Sequence, residues 1–239
     1  MSIIRPIVQA GWPRWREVEW LGYAEIAAEQ ASYSFTSFNF GKEAKDRIIC
    51  ACCLSSIWAA HLGHDLSNAT IGGVAAAIHA QAGADDSDYP MQIASMFSAV
   101  VPSGETGTIF VDGGGSGYPN NWPSMRVGAW RLVGFDPTPF HANREQNNAV
   151  NTISFSLNVP HEGAILAAAN GYHDVSAPGG AWTSGGIGID QDLSSGTNVR
   201  VWGSRTKEAS ASPQTLTFDV TGSSTSGLAM AAVSFQRRK

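Results

Sequence analysis

Apolar and polar residues alternate along this chain in short runs with a period near two. Turn-forming residues break the runs at the roughly 8–12-residue spacing of antiparallel β folds. Residues 33–40 (YSFTSFNF) alternate large and small side chains and stop at Gly41. Residues 46–54 (DRIICACCL) form a nearly continuous apolar run, short enough for a strand buried on both faces. Residues 68–79 (NATIGGVAAAIH) hold Gly72-Gly73 between two β-prone halves. That pair predicts a hairpin, because glycine accepts the positive φ of a tight turn. Further strands are predicted over 91–101, 106–111, 126–135, 149–159, 162–169, 199–205, 214–220 and 228–235. Residues 17–28 fit a first strand or a short helix equally well.

Eleven or twelve short strands predict an all-β fold, a jelly-roll-like antiparallel β-sandwich. Residues 1–16 are rich in Pro and Trp and read as an N-terminal extended arm. No compositional break marks a linker, so residues 17–239 read as a single sandwich domain.

Composition sharpens this picture. Charged residues make up 15% of the 239 and hydrophobic residues 43%. That balance excludes a solvated coiled coil and a highly charged disordered chain. A net charge of −5 argues against nucleic acid as a partner, since counterion release needs clustered Lys and Arg. No apolar stretch reaches the roughly 18 residues of a membrane helix, and the first residues lack the pattern of a signal peptide. Cys50, Cys52 and Cys53 lie in one run, with Cys50 and Cys52 expected on one strand face and Cys53 on the other. Such a cluster closes no useful disulfide loop and reads as small buried hydrophobes. As a metal site it lacks a second ligand pair at finger-like spacing.

Candidate chemistry is sparse. Gly114-Gly115-Ser116-Gly117-Tyr118 lacks the last glycine of a nucleophile elbow, and the glycine-rich run from Asp112 lacks the Lys of a phosphate loop. His61 and His64 (HLGH), beside Asp65, have a weak metal-ligand spacing and read as a surface loop. His173-Asp174 is an acid–base pair without a third member. Asp85, Asp86 and Asp88 resemble a Ca²⁺ loop only in their carboxylates and read as an exposed turn. No catalytic, cofactor-binding or metal-binding residue is therefore assigned. Aromatic residues are more suggestive. Trp12, Arg14, Trp15, Arg16 and Trp20 combine large buriable area with polar handles, as interface anchors do. Two readings stand: an arm that docks on a neighbour, or an N-terminal strand packed on its own sandwich. Trp122, Trp182 and Trp202 read as in or near loops and fit either sugar-stacking positions or loop plugs.

These motifs resemble the β-sandwich virion accessory proteins of tailed phages and prophages. The matching positions are Tyr33, Phe35, Gly41 and Arg47 in the opening strands, the hairpin Ala69-Thr70-Ile71-Gly72-Gly73-Val74, and the turn Val101-Pro102-Ser103-Gly104-Glu105-Thr106-Gly107. A closing apolar strand near the C-terminus also matches. The resemblance implies a non-enzymatic structural component: a head decoration or spike, a neck or collar piece, or a tail appendage. It implies other virion proteins as partners, homo-oligomeric assembly in the bacterial host cytoplasm, a place in the virion, and no contact with membrane or nucleic acid. It carries over no catalytic residues. The alternative reading is a receptor- or glycan-binding protein of the carbohydrate-binding-module type.

Overall fold

Strands that alternate and strands that do not belong to different layers of this molecule. The computed structural model describes residues 17–57, 65–83, 91–113, 124–147, 150–173, 179–194, 197–206, 212–221 and 225–239. Its strands are β1 (Glu17–Ile26), β2 (Ser32–Asn39), β3 (Ile48–Ile57), β4 (Asn68–Ile71), β5 (Val74–Ala75), β6 (Ala77–Ala82), β7 (Met91–Val100), β8 (Thr106–Asp112) and β9 (Met125–Val133). They continue with β10 (His141–Asn147), β11 (Thr152–Val159), β12 (Ala164–His173), β13 (Gly179–Trp182), β14 (Gly188–Asp192), β15 (Asn198–Thr206), β16 (Ser212–Thr221) and β17 (Thr225–Phe235). No helix occurs among the described residues, and the named strand pairs are antiparallel. The segment 17–28, ambiguous in sequence, is an edge strand.

The stretch read as one domain holds two sandwich units with the same winding. The first pairs a sheet ordered β1-β9-β3-β7-β6 with one ordered β2-β8-β4-β5; the second pairs β10-β17-β12-β15-β14 with β11-β16-β13. Renumbered from its own start, the second order repeats the first, apart from the extra hairpin strand β5. In both units first pairs with last, second with next-to-last, and third with the strand before that, the nested pairing of a rolled antiparallel hairpin. This is a jelly-roll winding, twice. Register repeats as well. Ser32 opposes Asp112 and Phe35 opposes Ile109 in the first unit, while Thr152 opposes Asp219 and Phe155 opposes Leu216 in the second. The residues themselves retain only short echoes, such as TIFVD (108–112) and TLTFD (215–219).

The two five-stranded sheets pack against each other, giving four layers and three cores. One core lies inside each sandwich and the third lies in the seam between them. This arrangement explains the continuous apolar runs. Ile49, Ala51 and Cys53 of β3 face the first core, while Ile48, Cys50, Cys52 and Leu54 face the seam. Leu228, Met230 and Ala232 of β17 face the third core, while Ala229, Ala231, Val233 and Phe235 face the seam. An inner strand buried on both sides has no polar face to alternate with. The outer strand β11 keeps strict alternation, exposed and buried in turn.

Gly72 and Gly73 turn the β4–β5 hairpin with φ of 61° and 78°, as their sequence predicts. Strands β6, β10, β13 and β14 escape the sequence pattern. Strand β10 (HANREQN) is polar because it is an edge strand, and edges tolerate charge that a central strand would have to bury.

Candidate functional site

The opening motif and the VPSGETG turn, far apart in sequence, are one structural device. Arg47 is fully buried at the start of β3. Its Nε donates to Val101 O at 2.6 Å, and its Nη1 to Gly41 O at 2.9 Å and Phe40 O at 3.3 Å. Its Nη2 donates to Ser103 O at 2.9 Å and Gly104 O at 2.7 Å. One guanidinium thus ties the β2–β3 turn to the β7–β8 turn. The fork geometry and the number of donors require Arg. Gly41 is needed beside it: its φ is +66°, and a Cβ there would lie 3.0 Å from the Arg131 side chain.

The seam carries the molecule's densest aromatic packing. Trp20 meets Trp130 edge-on at a centroid distance of 5.1 Å and tilts toward Trp202 at 6.1 Å. Tyr23 stacks on Trp202 from the outer edge. Gly128 makes the space, since a Cβ there would lie 2.5 Å from Trp20 and 2.7 Å from the Trp202 indole nitrogen. Trp130 Nε1 donates to Asp190 Oδ2 at 2.7 Å, which fastens edge strand β14 of the second unit to β9 of the first. Burial raises the Asp190 pKa, and the hydrogen bonds from Trp130 and Ser204 oppose that rise.

At one end of the seam the inward residues turn polar in concert. They are Glu25 on β1, Ser56 on β3, Gln92 on β7, Arg126 on β9, Asn170 on β12, and Asn198 and Arg200 on β15. Arg126 pairs with Glu25, which lies opposite it in the β1–β9 ladder. Ser56 donates to Gln92 Oε1 at 2.7 Å. Asn170 Nδ2 crosses the seam to Ser55 O at 2.5 Å and Ile93 O at 3.3 Å. Arg200 Nη2 donates to Asn198 Oδ1 at 3.0 Å.

The sequence candidates are distributed as follows. Trp20 is half-buried in the seam, so it anchors the chain's own two units. Trp182 is half-buried on β13, with its ring 5.0 Å from Phe218 and its indole nitrogen buried without an acceptor. Trp12, Arg14, Trp15, Arg16 and Trp122 lie outside the described residues, as do His61, His64, Asp85, Asp86, Asp88, Asp174 and residues 114–118. Among the described residues, no group of three or more His, Cys, Asp or Glu is arranged to hold a metal.

The cysteines divide as expected, Cys50 and Cys52 into the seam and Cys53 into the first core, all as free thiols. Burial pushes all three thiols up, Cys53 to about 12. Native protein at pH 8 should therefore resist a thiol reagent that labels all three once the chain is denatured. Rapid native labelling would show that the seam opens. Because the folded thiol pKa values exceed the unfolded value of about 8.5, the native state holds these protons more tightly. Their stabilisation is complete below that pH and is lost as pH climbs toward 12.

Sequence reasoning missed Arg126, Asn170, Asn198 and Arg200. The signal was present as a polar residue at one end of each inner apolar run. It acquires meaning only when those ends are known to coincide.

An open cleft of about 830 Å³ lies at the opposite end, with Lys45, Arg238 and Lys239 among its walls and Ile48 and Phe135 also lining it. Glu17, where residues 1–16 join the fold, pairs with Val133 beside this cleft.

Fold and sites together define a tandem jelly-roll protein whose buried polar groups serve mainly architecture. The chain matches no protein-family model and no curated protein.

Proposed function

We propose that this protein is a non-enzymatic structural component of a tailed-phage virion, acting through contacts with other virion proteins and with further copies of itself. The observation that carries the reading is the Arg47 clamp. The positions that resemble phage virion sandwiches (Gly41, Arg47 and the turn from Val101 to Gly104) are joined by hydrogen bonds into one brace. The resemblance is thus to an architecture, and this architecture is a four-layer stack of sheets with a braced pair of turns. Such a stack suits repeated assembly, in which many weak contacts add up through avidity.

Residues 1–16 carry Arg5, Arg14 and Arg16 and no acid, on a chain whose net charge is −5. A basic, Trp-rich segment on an acidic body suits docking to an acidic partner surface. The dividing point matters. Glu17–Ile26 is a sheet strand carrying Trp20, so a docking truncation must end at residue 16.

The test is mass spectrometry of purified particles from cells expressing either the full chain or a chain lacking residues 2–16. The full chain should co-purify with particles in fixed stoichiometry, and the truncated chain should fold but stay in the soluble fraction. Absence of the full chain from particles would overturn the assignment. Normal incorporation of the truncated chain would overturn the role of the arm.

A further inference from the structure

Among the described residues, the polar end of the seam holds a buried cation with no carboxylate paired to it. Arg200 is 4% exposed. Its hydrogen bond goes to the neutral amide of Asn198, and its Nε is buried with no acceptor. The charges that act on it are a second cation, Arg126, and the Glu25 carboxylate that Arg126 already holds. Asn170 lies directly opposite Arg200 in the β12–β15 ladder, and its Oδ1 is buried with no donor. Two arginines and one carboxylate thus act on one another at this end of the seam. A buried cation with neither a counterion nor a full set of acceptors is costly, on the order of several kcal/mol.

We propose that this end of the seam binds a small oxyanion, with the Arg200 guanidinium as its principal ligand and Arg126 as a supporting charge. A guanidinium fork matches the paired oxygens of a carboxylate, sulfate or phosphate. The orphan Asn170 Oδ1 accepts a hydroxyl placed beside the anionic group, as in a hydroxy acid or a uronic acid sugar. Two further features agree. Burial, with the Arg126 charge added, lowers the Arg200 pKa to about 10, and the Glu25 carboxylate opposes that shift only in part. The surrounding groups Ser56, Gln92, Asn170 and Asn198 are neutral hydrogen-bonding side chains, so they form a polar lining that does not repel an anion. The site lies apart from residues 1–16 and does not depend on the virion reading.

The experiment is thermal unfolding of the full chain at constant ionic strength, with chloride replaced by acetate, phosphate, sulfate or glucuronate. Tryptophan fluorescence is a second readout, because Trp202 lies two residues from Arg200 on the same face of β15. The expected result is a saturable rise of about 2–4 °C with at least one oxyanion. Response to the simple ions and to glucuronate assigns the site to the oxyanion itself. Response to glucuronate alone assigns it to an acidic sugar. Arg200→Met should abolish the response while melting no lower than wild type in chloride, since it removes the buried charge. Glu25→Gln should tighten binding several-fold by removing the competing carboxylate. Absence of any response in wild type overturns the proposal. A response retained in Arg200→Met, or explained by ionic strength alone, overturns it equally.

Discussion

Arg47→Met should cost about 4–5 kcal/mol or more and lower the melting temperature by on the order of 10–15 °C. The side chain is fully buried, and its three nitrogens serve five backbone carbonyls in two turns. Hydrogen bonds to a charged group contribute about 1.5–3 kcal/mol each, with incomplete additivity. Met keeps the apolar stem but satisfies none of the carbonyls and leaves the guanidinium's place empty, so lost hydrogen bonds and a small cavity add. Arg47→Lys keeps the charge and should recover only a small part, because an ammonium cannot span both turns. Urea denaturation of the three proteins checks this. A Met variant as stable as wild type would show that the turns hold without the brace.

Trp202→Ala should cost about 3–5 kcal/mol and, more tellingly, uncouple the two sandwiches. Trp202 is fully buried, packs beside Trp20 and Gly128, and donates to Cys52 O at 3.3 Å. Small side chains (Ala94, Ala168, Ala229, Ala231, Cys50 and Cys52) make up much of the rest of the seam, beside larger ones such as Leu54, Met96, Leu166, Phe135 and Phe235. Small residues let the sheets approach closely, but each buries little area, so the tryptophans carry a disproportionate share of the adhesion. Wild type should unfold in one transition by fluorescence and by hydrogen exchange. The variant should show two, with amides of β3 and β17 exchanging before those of β2 and β16. A single coincident transition in the variant would mean that the alanine- and cysteine-lined surfaces hold the units together alone.

The turn motifs braced by Arg47 and the polar seam end differ in what made them visible. Gly41, Arg47 and the VPSGETG turn can be seen as a pattern because turn residues and a lone cation stand out in an apolar sequence. Arg200 and Asn170 do not stand out. Each is an ordinary polar residue near the end of an apolar run, and their shared environment arises only when two sheets stack with corresponding ends together. Trp20 shows a choice that the sequence left open. Beside Trp12 and Trp15 it fits a docking arm or a strand packed on its own sandwich, and one ladder places it opposite Trp130, half-buried in the seam.

From the sequence alone come the β class, most strand positions, the Gly72-Gly73 turn and the split facing of the cysteines. These depend on local backbone preference and on the two-residue period of a strand, and both act between near neighbours. Tertiary structure decided that there are two jelly rolls and not one, that the runs IICACCL and LAMAAVSF are inner layers of a four-layer stack, and that Arg200 is buried with no carboxylate paired to it among the described residues. Those outcomes depend on pairings across a hundred residues and on which sheet faces meet. A continuous apolar run says that both faces of a strand are covered, but it does not say by what.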